Sequence, residues 1–456
     1  MNPNLQVTTA GQRYLGSFIG TKEAKLAFVD DKVKEWCRDL KQLSEIATRE
    51  PQLAYSAFVY GLSKRWNYVC RTTPGISDRL KPLEFVTRED FIPAILNRSF
   101  SCTDELRDIF NLPPRFGGLG IPKMTEIAEN EYGYSTIATK SLKDAIMNQD
   151  AEYIENAQEL HDIKANITKD RNEKYEEMKK EVLETMAESS RLMLELAAEK
   201  GASSWLTALP IKEFGYLLNR QQYTDELCLR YNLTLKDCPK VCACGGDYSV
   251  NHALICKLGG YVSMRHNWLR DSLAKLMTTA KCKDVQLEPS LLPVNNYHLP
   301  SGTILGDQAR LDISARSVWN VLERAFFDVR VFHPQAPTNA AKPIPMMYAA
   351  HEKEKKRLYN ARVLHVERGT FTPLVFSTSG GMGKEAKNLV KRLAQRMEMS
   401  TGQRYADAVG FIRKRLRFEL LKTTVIALRG DRGARLREAN TARAVADLDL
   451  NLEPVG

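Results

Sequence analysis

Apolar residues early in the chain recur at three- and four-residue steps. In KEAKLAFVDDKVKEWCRDLKQLSEIA they are Leu26, Val29, Val33, Trp36 and Leu40, one face of an amphipathic helix. The pattern predicts helices from 22 to about 70, the second opened by Pro51 and running through QLAYSAFVYGLSKRW. Ahead of them, QVTTAGQRYLGSFIG reads as two short strands around a glycine turn. RTTPGISDRLKPLE is a break followed by more helix, and LPPRFGGLGIP at 112–122 is a loop. Residues 124–200 read as mostly helical. The charged stretch KDRNEKYEEMKKEVLETMAESSRLMLELAAEKG predicts one long surface or spacer helix up to Gly201.

Past residue 260 the periodicity changes. RHNWLRDSLAKLM at 265–277 is an amphipathic helix. DVQLEP, ARLDIS, AFFDVRVF and TPLVFS are β-rich runs, with the charged helix HEKEKKRLYNARV before the last of them. Helix, three strands, helix and strand in that order predict a compact α/β domain. Residues 384–430 return to helix, and 438–456 read as a loose tail.

Composition adds bounds. At 456 residues the chain is too long for one ordinary core, and two to four domains are expected. No run of eighteen apolar residues occurs, so no membrane span is expected. The start, MNPNLQVTTAGQRYLG, lacks the basic and apolar regions of a signal peptide, so an intracellular, nuclear location is expected. Lys and Arg number 66 against 56 Asp and Glu, a net charge of +10. The excess gathers at 404–443, in Arg404, Arg413, Lys414, Arg415, Arg417, Lys422, Arg429, Arg432, Arg435, Arg437 and Arg443. Such a run suits phosphate contacts, and a solvated helix face is the competing explanation.

Five of the nine cysteines crowd around CACGGDYSVNHALIC at 242–256. In an intracellular chain a tight Cys/His cluster reads as a metal site before a disulfide. Cys242 and Cys244 offer two thiolates from one turn, which Gly245 and Gly246 permit. His252 and Cys256 are four apart, so one helical turn aims both at the same ion. Those four make a tetrahedral Zn²⁺ set. Cys238 is an alternative ligand, and buried thiols with a capping histidine are the bland alternative.

Asp312 and Asp328, fifteen residues apart in the intervening count, each lie in a β-rich apolar run. A carboxylate there needs a compensating cation or donor. Together on adjacent strands they could hold Mg²⁺, which lowers the pKa of a water and stabilises charge on a phosphodiester. A lysine from HEKEKKRLY, among Lys353, Lys355 and Lys356, could assist. The competing explanation is pairing of the acids with Arg310 and Arg330, each two residues away.

These motifs, with GGYVSMRHNWLRD, QLEPSLLP and EKEKKRLYNARVLHVERGTFTPLVFSTSGGMG, carry a resemblance. The chain resembles the C-terminal part of a non-LTR retrotransposon polyprotein, the kind with a restriction-like endonuclease behind its reverse transcriptase. Matched motif by motif, Cys242, Cys244, His252 and Cys256 are the family's Zn²⁺ knuckle. Asp312 and Asp328 match the nuclease acids, and Lys355 matches the lysine four residues before a tyrosine, with Lys356 a close competitor. Arg265 and His266 match the Arg-His pair on the first nuclease helix. With Arg413, Lys414 and Arg415 they are expected to contact nucleic acid. Leu311 departs from the family's usual Pro, and Arg330 from the Lys of an acid-x-Lys signature.

The resemblance implies a multidomain protein. An all-α thumb and linker would precede a zinc knuckle and an α/β restriction-endonuclease-like, PD-(D/E)XK domain. The divisions are 1–21, the end of a reverse-transcriptase palm; 22–123, thumb helices; 124–237, a helical linker; 238–260, the knuckle; 261–383, the nuclease core; 384–437, a basic helical segment; and 438–456, a tail. The implied activity is Mg²⁺-dependent DNA nicking, with a catalytically inactive nucleic-acid-binding remnant as the alternative. DNA is the expected partner, RNA a second, and no membrane is involved. No Tyr-x-Asp-Asp occurs, so a truncated or domesticated piece that cannot polymerise DNA alone is expected.

Overall fold

The computed structural model describes residues 8–97, 102–295, 297–339 and 342–430. They fall into two compact units: 1–194 with 218–227, and 195–217 with 228–456. No helix among the described residues is long and apolar enough to cross a membrane.

The first unit begins with the expected hairpin. Strands β1 (Gly11–Tyr14) and β2 (Ser17–Gly20) pair antiparallel. Leu15 and Gly16 both have positive φ, the twist a two-residue hairpin turn requires. The helix Lys22–Ala47 follows, capped by the Thr21 hydroxyl and burying Val29, Val33, Trp36 and Leu40 as the spacing predicts. Its core is aromatic. Phe58 stacks on Phe91 at 4.8 Å between centroids and meets Trp66 edge-on at 5.3 Å. Buried Arg107 pairs with Glu84 and donates to the carbonyls of Ile121 and Pro122, pinning the Pro/Gly loop. Gly118 in that loop is obligatory, because a Cβ there would lie 1.9 Å from the Leu112 carbonyl oxygen.

The long charged helix differs from expectation. It spans Ala157–Thr185, breaks at Met186 in extended conformation, and resumes as Glu188–Ala198. No Gly or Pro marks the break. Met186 at the break is buried. The linker expected at 124–237 is not one body either. Residues 124–194 pack with the helices before them, through contacts such as Ser77 with Glu129 and Asn111 with Met178, while 195–217 belong to the sheet unit.

The second unit is built on a four-stranded mixed sheet in the order β3 (Lys283–Leu287), β4 (Ile313–Arg316), β5 (Arg324–Phe332), β6 (Thr370–Ser377). The first three strands pair antiparallel, and β6 runs parallel to β5. A parallel neighbour needs a crossover, and the helix Ile344–Arg362 supplies it. Pro373 is tolerated in β6 because that strand lies at the sheet edge. On one face Ile313, Phe327, Val329, Leu374 and Phe376 pack with helices Tyr261–Thr279, Lys384–Thr401 and Tyr405–Arg429. The opposite face, with Phe326, Phe332, Phe371 and Val375, meets the crossover helix and the chain around it. The unit is therefore α/β in class and helix-rich.

The basic run at the end behaves differently from a solvated face. The Tyr405–Arg429 helix is mostly interior. Arg417 is buried and donates to the Ala202 carbonyl, Lys422 donates to Gly215, and Arg429 to Lys236. Arg432, Arg435, Arg437, Arg443 and the tail 438–456 lie outside the described residues.

The crossover helix is held at both ends. Near its start Tyr348 donates to Glu199 at 2.9 Å. At its end Arg362, fully buried, donates to the carbonyls of Leu292, Ile304 and Gly306 at 2.8 to 3.0 Å. Arg362→Met strands three carbonyls, each costing about 1–3 kcal/mol if left unpaired. We expect a lower denaturant midpoint and faster limited proteolysis within 291–309. Burial lifts the Glu199 carboxyl from 4.5 to about 7, against opposing pulls from Tyr348 and Lys387. Its folded value lies above its unfolded one. Its contribution to stability is thus complete below pH 4.5 and lost as pH rises through about 7. Glu199→Gln should therefore gain melting temperature relative to wild type between pH 6 and 8, measured by thermal melts across that range.

Candidate metal and acid centres

Two clusters of chemically active side chains occur in the sheet unit. The first is the Cys/His segment. Val241 and Asp247 bridge antiparallel, and the Cys242 amide donates to the Gly246 carbonyl, so 241–247 form a tight hairpin turn. Gly245 has φ +89°, which explains a glycine at that turn. The helix Val250–Ile255 follows, capped by the Ser249 hydroxyl, which accepts from the His252 amide at 3.0 Å.

The ligand atoms of Cys242, Cys244, His252 and Cys256 all lie within 4.8 Å of one another. Cys242 Sγ and Cys256 Sγ are 4.0 Å apart, and Cys244 Sγ lies 3.3 Å from His252 Nε2. A tetrahedron with Zn–S bonds of ~2.3 Å has edges of roughly 3.8 Å. The spacing and the donor set therefore fit Zn²⁺, and the cluster could hold it. Burial pushes the Cys242 thiol up, yet hydrogen bonds from the Cys244 amide, His252, Cys244 and Cys256 together bring it down to about 7, toward the thiolate a metal needs. Cys238, the alternative ligand, lies outside the group, its thiol directed to the Lys236 carbonyl.

The second cluster joins the two aspartates. Asp328, mid-strand on β5, is buried and faces the crossover helix. Lys355 Nζ lies 2.7 Å from its Oδ2. The close ammonium compensates the buried charge. Desolvation raises the Asp328 carboxyl, opposed by Lys355 and reinforced by the charge of Asp312. Asp312 lies just ahead of β4. Its Oδ2 accepts from the Val329 amide at 2.6 Å, and its Oδ1 lies 2.9 Å from His266 Nε2. The Tyr359 ring lies one turn beyond Lys355, 5.8 Å from its ammonium. Burial, then the charges of Asp328 and Asp312, raise the Tyr359 hydroxyl.

The arginine pairing considered for these acids is not what the structure shows. Arg330 is exposed, and Arg310 pairs with Glu288 at 3.9 Å. Between the two competing lysines, Lys355 points to Asp328 and Lys356 pairs with Glu385 at the surface. Leu311, where the resemblance leads one to expect Pro, is buried against Leu291, Phe326 and Val363.

The residues expected to meet nucleic acid divide. His266 is part of the acid cluster. Arg265 is 2% exposed and donates to the Leu254 carbonyl at 3.0 Å, so in this structure it presents no surface to a phosphate. Arg413, Lys414 and Arg415 are half-buried, and Arg415 pairs with Glu419 at 3.2 Å. Sequence reasoning passed over His333, Glu199 and Tyr348. A histidine following a β-rich run, as in RVFHP, carries no signal of what it bonds. A scan of family models matches none to this chain, and a search of curated proteins returns no match.

The purified protein should hold one zinc per chain. Cys244→Ser should lower the metal content measured by elemental analysis, and Cys238→Ser should leave it unchanged.

Proposed function

We propose that this chain is a retrotransposon-derived, metal-dependent DNA endonuclease fragment that nicks a phosphodiester. One observation carries the reading: Asp312 is held by the amide of Val329, the neighbour of Asp328, with His266 on Asp312 and Lys355 on Asp328. The strand order and the crossover helix are compatible with the restriction-endonuclease-like fold that the sequence resemblance implies.

The donor chemistry also suits a hard divalent cation. Mg²⁺ takes oxygen ligands, commonly one or two carboxylates with waters completing the shell. Asp312 and Asp328 would hold it, and when bound it would lower the pKa of a water and offset charge on the phosphate. Lys355, held beside Asp328, would orient the attacking water and offset negative charge developing on the phosphate. His266 would keep Asp312 oriented. The Val329 amide fixes that carboxylate's other oxygen, so its direction is set by backbone.

DNA is the proposed partner, with RNA a second, and the net charge of +10 favours a polyanion. The second reading, a nucleic-acid-binding remnant without activity, draws on the Lys355–Asp328 pair, which also makes sense as a purely structural bridge.

Supercoiled plasmid with Mg²⁺ separates the two. Wild type should nick it, and Asp328→Ala should lower the rate at least 100-fold, with Lys355→Ala also impaired. Lys356→Ala should stay within about twofold, since its partner is the surface Glu385. Equal nicking by Asp328→Ala would reject the site. Salt-dependent DNA binding with no cleavage by wild type would select the remnant.

A further inference from the structure

We propose that the Cys/His knuckle is a positioning element for the acid pair, acting through two buried joints, Arg265–Leu254 and His333–Asn251. The proposal rests on the nuclease reading for its catalytic consequence, though not for its structural one.

Both joints end on the same short helix. Val250–Ile255 is six residues long, too short to hold its shape alone. His252 lies within it and Cys256 just past it, so a metal bound by the cluster would fix both its phase and its end. Two groups on this helix reach the sheet domain. The Leu254 carbonyl accepts from Arg265, and Asn251 Oδ1 meets His333 Nε2 at 2.8 Å. Both receiving residues are buried, Arg265 at 2% and His333 at 7% exposure.

Each joint then continues to one of the two aspartates. Arg265 and His266 are consecutive on the Tyr261–Thr279 helix, and successive helical side chains point about 100° apart. One faces the knuckle, and the other bonds Asp312. The remaining Nε and Nη1 of Arg265 have no partner among the described residues, so the Leu254 carbonyl carries its directional anchoring. His333 is the first residue past β5, the strand that carries Asp328. Its Nδ1 meets Thr378 Oγ1 at 2.9 Å, and Thr378 is the first residue past β6. The imidazole therefore ties the ends of the two parallel strands, β5 and β6, to the knuckle helix. Burial, helped by the nearby Arg265 charge, brings His333 down to about 4, so it is neutral at physiological pH. A neutral ring donates at one nitrogen and accepts at the other, which matches an amide oxygen on one side and a hydroxyl on the other.

The two paths are contiguous and meet on the knuckle helix, so a change on one is felt on the other. A displaced knuckle helix would disturb His266 through its sequence neighbour and β5 through its end. Both paths end on the acid pair, so the effect is expected on turnover rather than on binding.

The test uses the full-length zinc-loaded protein and reads zinc content, plasmid nicking, and the His266 ring signal by NMR, assigned with His266→Gln. Asn251→Ala should keep one zinc per chain, shift the His266 signal, and lower kcat about 10-fold with KM unchanged, within the usual range of coupling between sites. Asn251→Asp, which keeps an acceptor oxygen, should restore both. Zinc removal by a chelator should move the same ring signal, and Zn²⁺ should return it. Should Asn251→Ala lose zinc or fail to fold, Thr378→Val, on the far side of His333 from the metal, serves in its place. A variant that keeps zinc and shows an unaltered His266 signal, with no movement on zinc removal, overturns the proposal. If wild type nicks nothing, the nuclease reading fails, and the ring signal still decides the positioning.

Discussion

A carboxylate in the middle of a buried strand is the constraint around which the sheet unit is arranged. Asp328 lies among Phe326, Phe327 and Val329 with almost no access to water. Left alone it would protonate or unfold the strand, because desolvating a charge costs several kcal/mol. Lys355 is the compensation, and it arrives from the crossover helix that packs on that face. The crossover helix therefore has to keep a fixed phase. Tyr348, Glu352, Lys355, Tyr359 and Arg362 recur at three- and four-residue steps, and Tyr348 and Arg362 lock the two ends. A rotation of one residue that brought Glu354 into the place of Lys355 would leave the carboxylate uncompensated.

The same logic extends to the knuckle. A segment of fifteen residues buries little apolar surface, here Ala253 and Leu254 against Tyr261, Ala427 and Leu428. It gains its definition from the four converging ligands and from polar anchors, of which Tyr248 to the Leu428 carbonyl, Arg265 and His333 are three. Buried polar joints of this kind specify geometry more than they add stability, since each partner left unpaired is costly. A metal module attached through apolar contact alone would dock in several orientations.

Some of this was readable in the chain and some was not, for physical reasons. The Cys/His set was legible because its spacing is local: a Cys-x-Cys turn, then a four-residue helical step. The two aspartates stood out because carboxylates are rare in apolar strands. The strand and helix order of the sheet unit followed from periodicity. What local pattern could not show was the partner of each charge. His266 and Asp312 are 46 positions apart, and only the fold brings them together. Arg265 looked like its neighbour but turns inward, because consecutive helical residues face different surroundings. The phase that favours Lys355 over Lys356 was present in the steps to Tyr359 and Arg362, yet it becomes decisive only once Arg362 is known to be buried. The break at Met186 has no Gly or Pro to signal it.

Charge balance at the acid pair bears on what the site is for. Two carboxylates face one ammonium, and the second positive partner, His266, counts only when protonated. A bridge selected for stability alone needs one acid and one base. It would gain nothing from a second carboxylate whose field raises the first. Asp312 is nevertheless held firmly, with one oxygen on a backbone amide and the other on an imidazole. Fixing an acid where it works against its neighbour makes sense if the surplus negative charge has a use. A divalent cation with oxygen preference is the ligand that such a surplus fits, and it is the reason the proposed reading is nuclease before structural bridge.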